Sequence, residues 1–133
     1  MLIAVISRIP ELYANRRLQA AARERGADVH FIDPLAPFKQ GIAESLDAVI
    51  PRFGPIWQSQ GGAVLVKMQA CGAICLNTAE AVALARDKSA AMQVFGRLQL
   101  PMPPSVPGTA VSDYYSLVQL PFPFPMLIKE DAS

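Results

Sequence analysis

The chain has 133 residues, enough for one ordinary domain, or for a small domain and the beginning of a second, and enough to bury a core. Its 52% hydrophobic and 17% charged residues exclude a disordered polymer. The formal net charge of +1, with no basic run and no interleaving of aromatic and basic residues, gives no footing for nucleic acid as a direct partner.

The opening run Leu2–Ile6 is short and continuously apolar, which predicts a central parallel strand covered on both faces. It is too short for a signal-peptide core, and no run approaches transmembrane length, so a cytoplasmic location and no membrane partner are expected. A helix should follow. Leu12, Leu18, Ala21 and Ala22 recur near helical spacing, Arg16, Arg17, Arg23 and Arg25 fill the other side, and Gly26 stands where a helix would stop. Residues 29–32 then predict a second strand ending at Asp33-Pro34, completing a βαβ unit with a right-handed crossover.

A third strand is predicted over 48–50, closed by Pro51-Arg52 and reached through a loop or short helix around 37–44. After Gly61-Gly62, a helix carries Val64, Leu65, Met68 and Cys71, and residues 73–76 supply a fourth strand. Asn77 or Thr78 is suited to cap the next helix, 79–85, with Glu80 in its first turn, and a further helix covers 87–98. Strands alternating with helices predict an α/β fold with a doubly wound parallel sheet.

Composition changes at Leu100. Seven of the twelve prolines fall between Pro101 and Pro125, and each fixes a backbone angle and removes a donor, so regular structure there must be short. A strand near Ser105 and Val106, a helix over 113–120 capped by Ser112 and a strand over 126–129 are expected. A boundary at about residue 100 then separates an α/β domain, 1–100, from a short incomplete second unit, 101–133. The last strand ends in Lys129 and needs neighbours that the sequence does not supply, so the chain reads as the first part of something larger.

Ligands of open parallel sheets bind beyond the carboxyl ends of the strands. Those ends bring Ser7-Arg8, Asp33, Pro51-Arg52 and Asn77-Thr78 to one rim. Arg8 and Arg52 suit a carboxylate or phosphate through bidentate geometry, and Asn77 can join them. Alternatively, Arg8 pairs with Asp33 and Arg52 is solvated, the bland outcome for surface charges. No glycine-rich dinucleotide turn and no P-loop occurs. His30 is the single histidine, inside a strand pattern, and reads as a half-exposed structural residue. Cys71 and Cys75 lack zinc spacing and companions and read as free thiols. No catalytic residue and no metal ligand is therefore named.

One ordered set of blocks is more specific. Asn77-Thr78-Ala79-Glu80-Ala81-Val82, Arg86-Asp87-Lys88, Leu100-Pro101-Met102-Pro103 and Met126-Leu127-Ile128-Lys129 together resemble the ATP-grasp superfamily. Ile3 to Arg8, Leu12-Tyr13, Arg16-Arg17-Leu18 and Val49-Ile50-Pro51-Arg52-Phe53-Gly54 are similar to the RimK-type glutamate ligases, specifically their pre-ATP-grasp domain with only the start of the ATP-grasp domain. The resemblance implies ATP-dependent ligation of glutamate or a similar amino acid to a protein or peptide carboxyl end through an acyl phosphate. It implies ATP and magnesium as cofactors, Lys88 and Lys129 as the lysines directed at ATP phosphates, and a homo-oligomer as the assembly. The family's glycine-rich loop and metal ligands have no counterpart here, so the chain alone is expected to be inactive and to bind no cofactor tightly. Two other readings stand beside it: a docking module that holds an acidic peptide or carboxylate on the Arg8, Arg52 and Asn77 rim, and a strand-pairing oligomerisation module.

Overall fold

The computed structural model describes residues 1–38, 40–105 and 125, with the side chain of Gln40 left aside. Two compact units are distinguished by chain packing, Met1–Ala83 and Leu84–Ser133. The expected helix and strand of the proline-rich tail, with Val106, Ser112 and Lys129, lie outside the described residues.

In the first unit, β1 (Leu2–Ile6) lies between β2 (Asp28–Ile32) and β3 (Ala48–Pro51), parallel to both, in the order β2-β1-β3. The apolar opening run thus takes the central position its composition required. Ala4, Val5 and Ile6 are fully buried, and because side chains alternate along a strand, Ala4 and Ile6 face one side of the sheet while Val5 faces the other. Ala4 and Ile6 join Leu46, Val49, Phe53, Val64, Leu65 and Met68 in the main core. Each large apolar side chain buried there contributes about 1.5–3 kcal/mol.

Helix α1 (Tyr13–Arg23) packs against β2, and its arginines are exposed as their spacing predicted. Leu12 differs from expectation: it precedes the helix and is exposed. The helix stops where Gly26 adopts φ +71°, with Gly26 N–H donating to Arg23 O and Ala27 N–H to Ala22 O, the paired bonds of a Schellman ending. The same pattern ends α3 at Gly72, φ +83°, where Ala73 N–H donates to Met68 O. A short α2 (Gln40–Ala43) occupies the segment read as a loop or short helix.

Two expectations are corrected. Gly61-Gly62 does not precede the third helix but lies inside it: after a single 3-10 turn, Pro55–Trp57, α3 runs from Gln58 to Ala70. The glycine is there for contact rather than for a turn, since a Cβ on Gly61 would lie 2.3 Å from Phe53 Cγ. The fourth strand is reduced to one bridge, Val49 with Cys75, in which Val49 N–H donates to Ile74 O and Leu76 N–H to Val49 O. N–H groups on one side of a strand recur every second residue, so the next donor in this ladder would be that of Pro51, which has none. Pairing therefore ends after one repeat. Arg52 N–H, pointing the other way, donates to Ile6 O and keeps β3 on β1.

Helix α4 (Ala79–Arg86) begins with Thr78 as its cap, its Oγ1 accepting from Ala81 N–H at 3.2 Å, while Gln69 Oε1 accepts from Ala79 N–H at 2.7 Å. In the second unit, Asp87 caps α5 (Lys88–Arg97) by accepting from Ala90 N–H at 2.8 Å. That helix also ends with paired bonds, Gln99 N–H to Gly96 O and Leu100 N–H to Phe95 O, but Gln99 rather than glycine carries the positive φ of 53°.

Candidate functional site

Strand order 2-1-3 reverses direction between β1 and β3, because one connection leaves β1 to its left and the other crosses to its right. Crevices beyond the carboxyl ends of the strands form at such a reversal. Arg8 follows β1 and Arg52 follows β3, so the two arginines stand at the carboxyl ends of these neighbouring strands.

Each guanidinium is tied down. Arg8 Nε lies 3.7 Å from Asp33 Oδ2, and its guanidinium carbon stands 4.5 Å from the centroid of the Trp57 ring. The ion pair is loose and both partners are 43% exposed, so it contributes no more than about 1 kcal/mol. The stack on Trp57 contributes a similar amount, about 0.5–1 kcal/mol. Asp33 is itself fixed, accepting from Leu35 N–H at 2.9 Å. Arg8 therefore does pair with Asp33, as one of the two readings held.

Arg52 is exposed, as the bland reading held, but it is not without a protein partner. Its Nε donates to Asn15 Oδ1 at 3.2 Å. Asn15, on the first turn of α1, is 1% exposed, and its Nδ2 donates to Ser7 Oγ at 2.9 Å and to Ile9 O at 2.8 Å. Ser7 is buried too, and its own N–H donates to Ile32 O. One polar network thus links the ends of all three strands with the start of α1.

Asn77 is exposed, beyond the single bridge at Cys75, and takes no part in this network. Lys88 is the first residue of α5, in the second unit, half-buried and engaged with a partner. Sequence reasoning missed Asn15 and Trp57. An asparagine in a helix pattern between Tyr13 and Arg16 was the available signal, since that residue type competes with the helix backbone unless it has other work. His30 is exposed rather than half-exposed.

Among the described residues, no group of three or more His, Cys, Asp or Glu side chains could hold a metal ion, and no helix is long and apolar enough to cross a membrane. Cys71 and Cys75 are free and half-buried, and burial pushes the Cys75 thiol up, away from nucleophilic thiolate. Two guanidiniums at the carboxyl ends of neighbouring strands have the chemistry to meet an anion.

Residues 1–37 match the family described as the RimK PreATP-grasp domain. A protein of Shewanella amazonensis named probable alpha-L-glutamate ligase 1 is 38% identical over 97% of this chain and 47% of its own length. Its namesake in Hahella chejuensis is 33% identical over 97% of this chain and 46% of its own, and a probable alpha-L-glutamate ligase of Halorhodospira halophila is 35% identical over 97% and 47%. The chain spans about half the length of the relatives it matches. Likeness sustained from the first strand through the proline-rich tail, on a parallel α/β sheet of the expected kind, is consistent with the amino-terminal, pre-ATP-grasp part of a RimK-type protein.

Proposed function

We propose that this chain is the pre-ATP-grasp part of a cytoplasmic, ATP-dependent carboxylate–amine ligase that joins glutamate, or a similar amino acid, to the carboxyl end of a protein or peptide. The observation that carries this reading is the pair of anchored guanidiniums at the carboxyl ends of β1 and β3, in a chain whose relatives are named for glutamate ligation. Both substrates of such a reaction carry carboxylates. A planar, permanently charged guanidinium recognises a carboxylate by geometry as well as charge. In this reading Arg8 and Arg52 bind and orient a substrate carboxylate, and Asp33 and Trp57 keep Arg8 from collapsing onto other acids.

The described residues do not fit a magnesium site, so no step through the metal is assigned to them. ATP, when bound, would supply the activation of the acceptor carboxylate. Lys88 and Lys129 are proposed to carry positive charge to its phosphates, by their place in the family order of motifs. Asn77, set apart from the arginine network, is proposed only as a peripheral contact to the substrate.

The test is an exchange. The aligned segment of the Shewanella amazonensis relative is replaced by this chain, and ATP-dependent incorporation of labelled glutamate into an acceptor peptide is measured. A folded chimera should retain incorporation, and Arg8→Glu with Arg52→Glu should raise the KM of a carboxylate substrate far more than they change kcat. An inert, folded chimera beside an active parent would refute the proposal.

A further inference from the structure

Among the described residues, Asn15 and Ser7 are the buried polar side chains. The orientation of the Asn15 amide is fixed by chemistry. Ile9 O can only accept, so the atom 2.8 Å from it must be Nδ2, and Arg52 Nε can only donate, so the atom 3.2 Å from it must be Oδ1. Both Nδ2 protons are used, one on Ile9 O and one on Ser7 Oγ, and the amide cannot flip without facing donor to donor and acceptor to acceptor. A buried group locked on both sides holds its third partner in one place.

That third partner is a guanidinium 37 residues away on β3's end. Its Nε is taken by Asn15 and its backbone N–H by Ile6 O, while no hydrogen bond or ion pair among the described residues engages its Nη groups. A guanidinium held at Nε presents its two Nη groups end-on, as a fork suited to the two oxygens of one carboxylate. An arginine without that anchor samples many rotamers and must lose that freedom on binding.

We infer that Asn15 is a positioning residue, which holds Arg52 by its Nε so that both Nη groups face a carboxylate at the β1/β3 crevice. The choice of carboxylate as the ligand class rests on the function proposed above; the contact itself does not. Asn15 touches no substrate, so its effect passes wholly through Arg52.

Nuclear magnetic resonance of the ¹⁵N-labelled chain tests the two parts separately. Exchange of arginine Hε protons with water reads the contact, and titration with N-acetylglutamate, with inorganic phosphate alongside, reads the site. Arg52 Hε should exchange much more slowly than Hε of the exposed Arg16 and Arg17. Asn15→Leu, which keeps the branched outline but removes the acceptor, should abolish that protection and weaken N-acetylglutamate binding about tenfold, the worth of one hydrogen bond to a charged group.

Fast exchange of Arg52 Hε in the unmodified chain overturns the inference without needing any variant to fold. Equal N-acetylglutamate affinity of a folded Asn15→Leu chain overturns it as well. A protected Arg52 Hε in a chain that binds no N-acetylglutamate supports the anchoring and sinks the carboxylate reading of the crevice. Phosphate binding more tightly than N-acetylglutamate, with the same dependence on Asn15, supports the anchoring and reassigns the ligand class.

Discussion

Gly61→Ala is the substitution on which sequence rules and packing disagree most sharply. Within a helix, alanine is better than glycine by about 1 kcal/mol, so propensity alone predicts a more stable protein. Packing predicts the reverse. The new Cβ would lie 2.3 Å from Phe53 Cγ and 2.5 Å from Cδ1 and Cδ2, whereas ordinary contact begins near 3.4 Å, so the ring must retreat by more than 1 Å. Cγ is the root of the ring and cannot swing clear as a side-chain tip would, and Phe53 is buried beside Val64 and Leu65. Overpacking of this kind costs about 1–3 kcal/mol. Taking the upper part of that range, less the propensity gain, leaves a net loss of about 2 kcal/mol. Urea unfolding followed by far-ultraviolet circular dichroism measures it. The same substitution in a Phe53→Ala background, where the ring is gone, should change sign and stabilise by about 1 kcal/mol, giving a coupling of about 3 kcal/mol. A neutral or stabilising Gly61→Ala in the intact chain, or an equal cost in both backgrounds, would refute the argument.

Three further outcomes are expected. Gln99→Gly relieves a positive φ on a residue with a side chain and should stabilise the end of α5 by about 1 kcal/mol, seen as slower amide exchange near Leu98; faster exchange would contradict it. Asp87→Ala removes the acceptor for Ala90 N–H and should cost α5 about 1 kcal/mol, with the largest loss of protection at Ala90. Glu80 is held below the ordinary glutamate value by hydrogen bonds from its own backbone N–H, from Thr78 and from Gln69. A carboxyl lowered on folding stabilises fully above its ordinary value and loses that contribution as pH falls through the lowered one, so Glu80→Gln should lower stability at neutral pH, leave it nearly unchanged below the lowered value, and so flatten the acid limb of a stability profile.

The first half of the fold was open to reading because it depends on local rules. A covered central strand must be apolar throughout, a helix must end on a residue that tolerates positive φ, and Thr78 and Asp87 have the chemistry of caps; the structure follows each. Gly61-Gly62 misled because glycine has two meanings. As local punctuation it marks a turn, and as a packing residue it lets a ring approach a backbone, which only Phe53, eight residues earlier, reveals. The truncated fourth strand was legible in principle, since Pro51 already lacked the donor that a longer ladder needs, but the register that places Pro51 opposite that segment is tertiary. At the site, the arginines were visible from the strand-end rule. Their anchors were not, because Asn15 meets Arg52 and Trp57 meets Arg8 only once the sheet brings distant segments to one edge.

The indole under Arg8 has a practical use. Trp57 is the chain's single tryptophan, and its ring sits against a cation that is itself proposed to meet the ligand. Its emission is sensitive to a charge held a few ångströms from the ring, so an anion that draws Arg8 away, or clamps it in place, alters the fluorescence of the untouched protein. The crevice carries its own optical gauge, and occupancy can be followed without a label, a coupled assay or knowledge of what the ligand becomes.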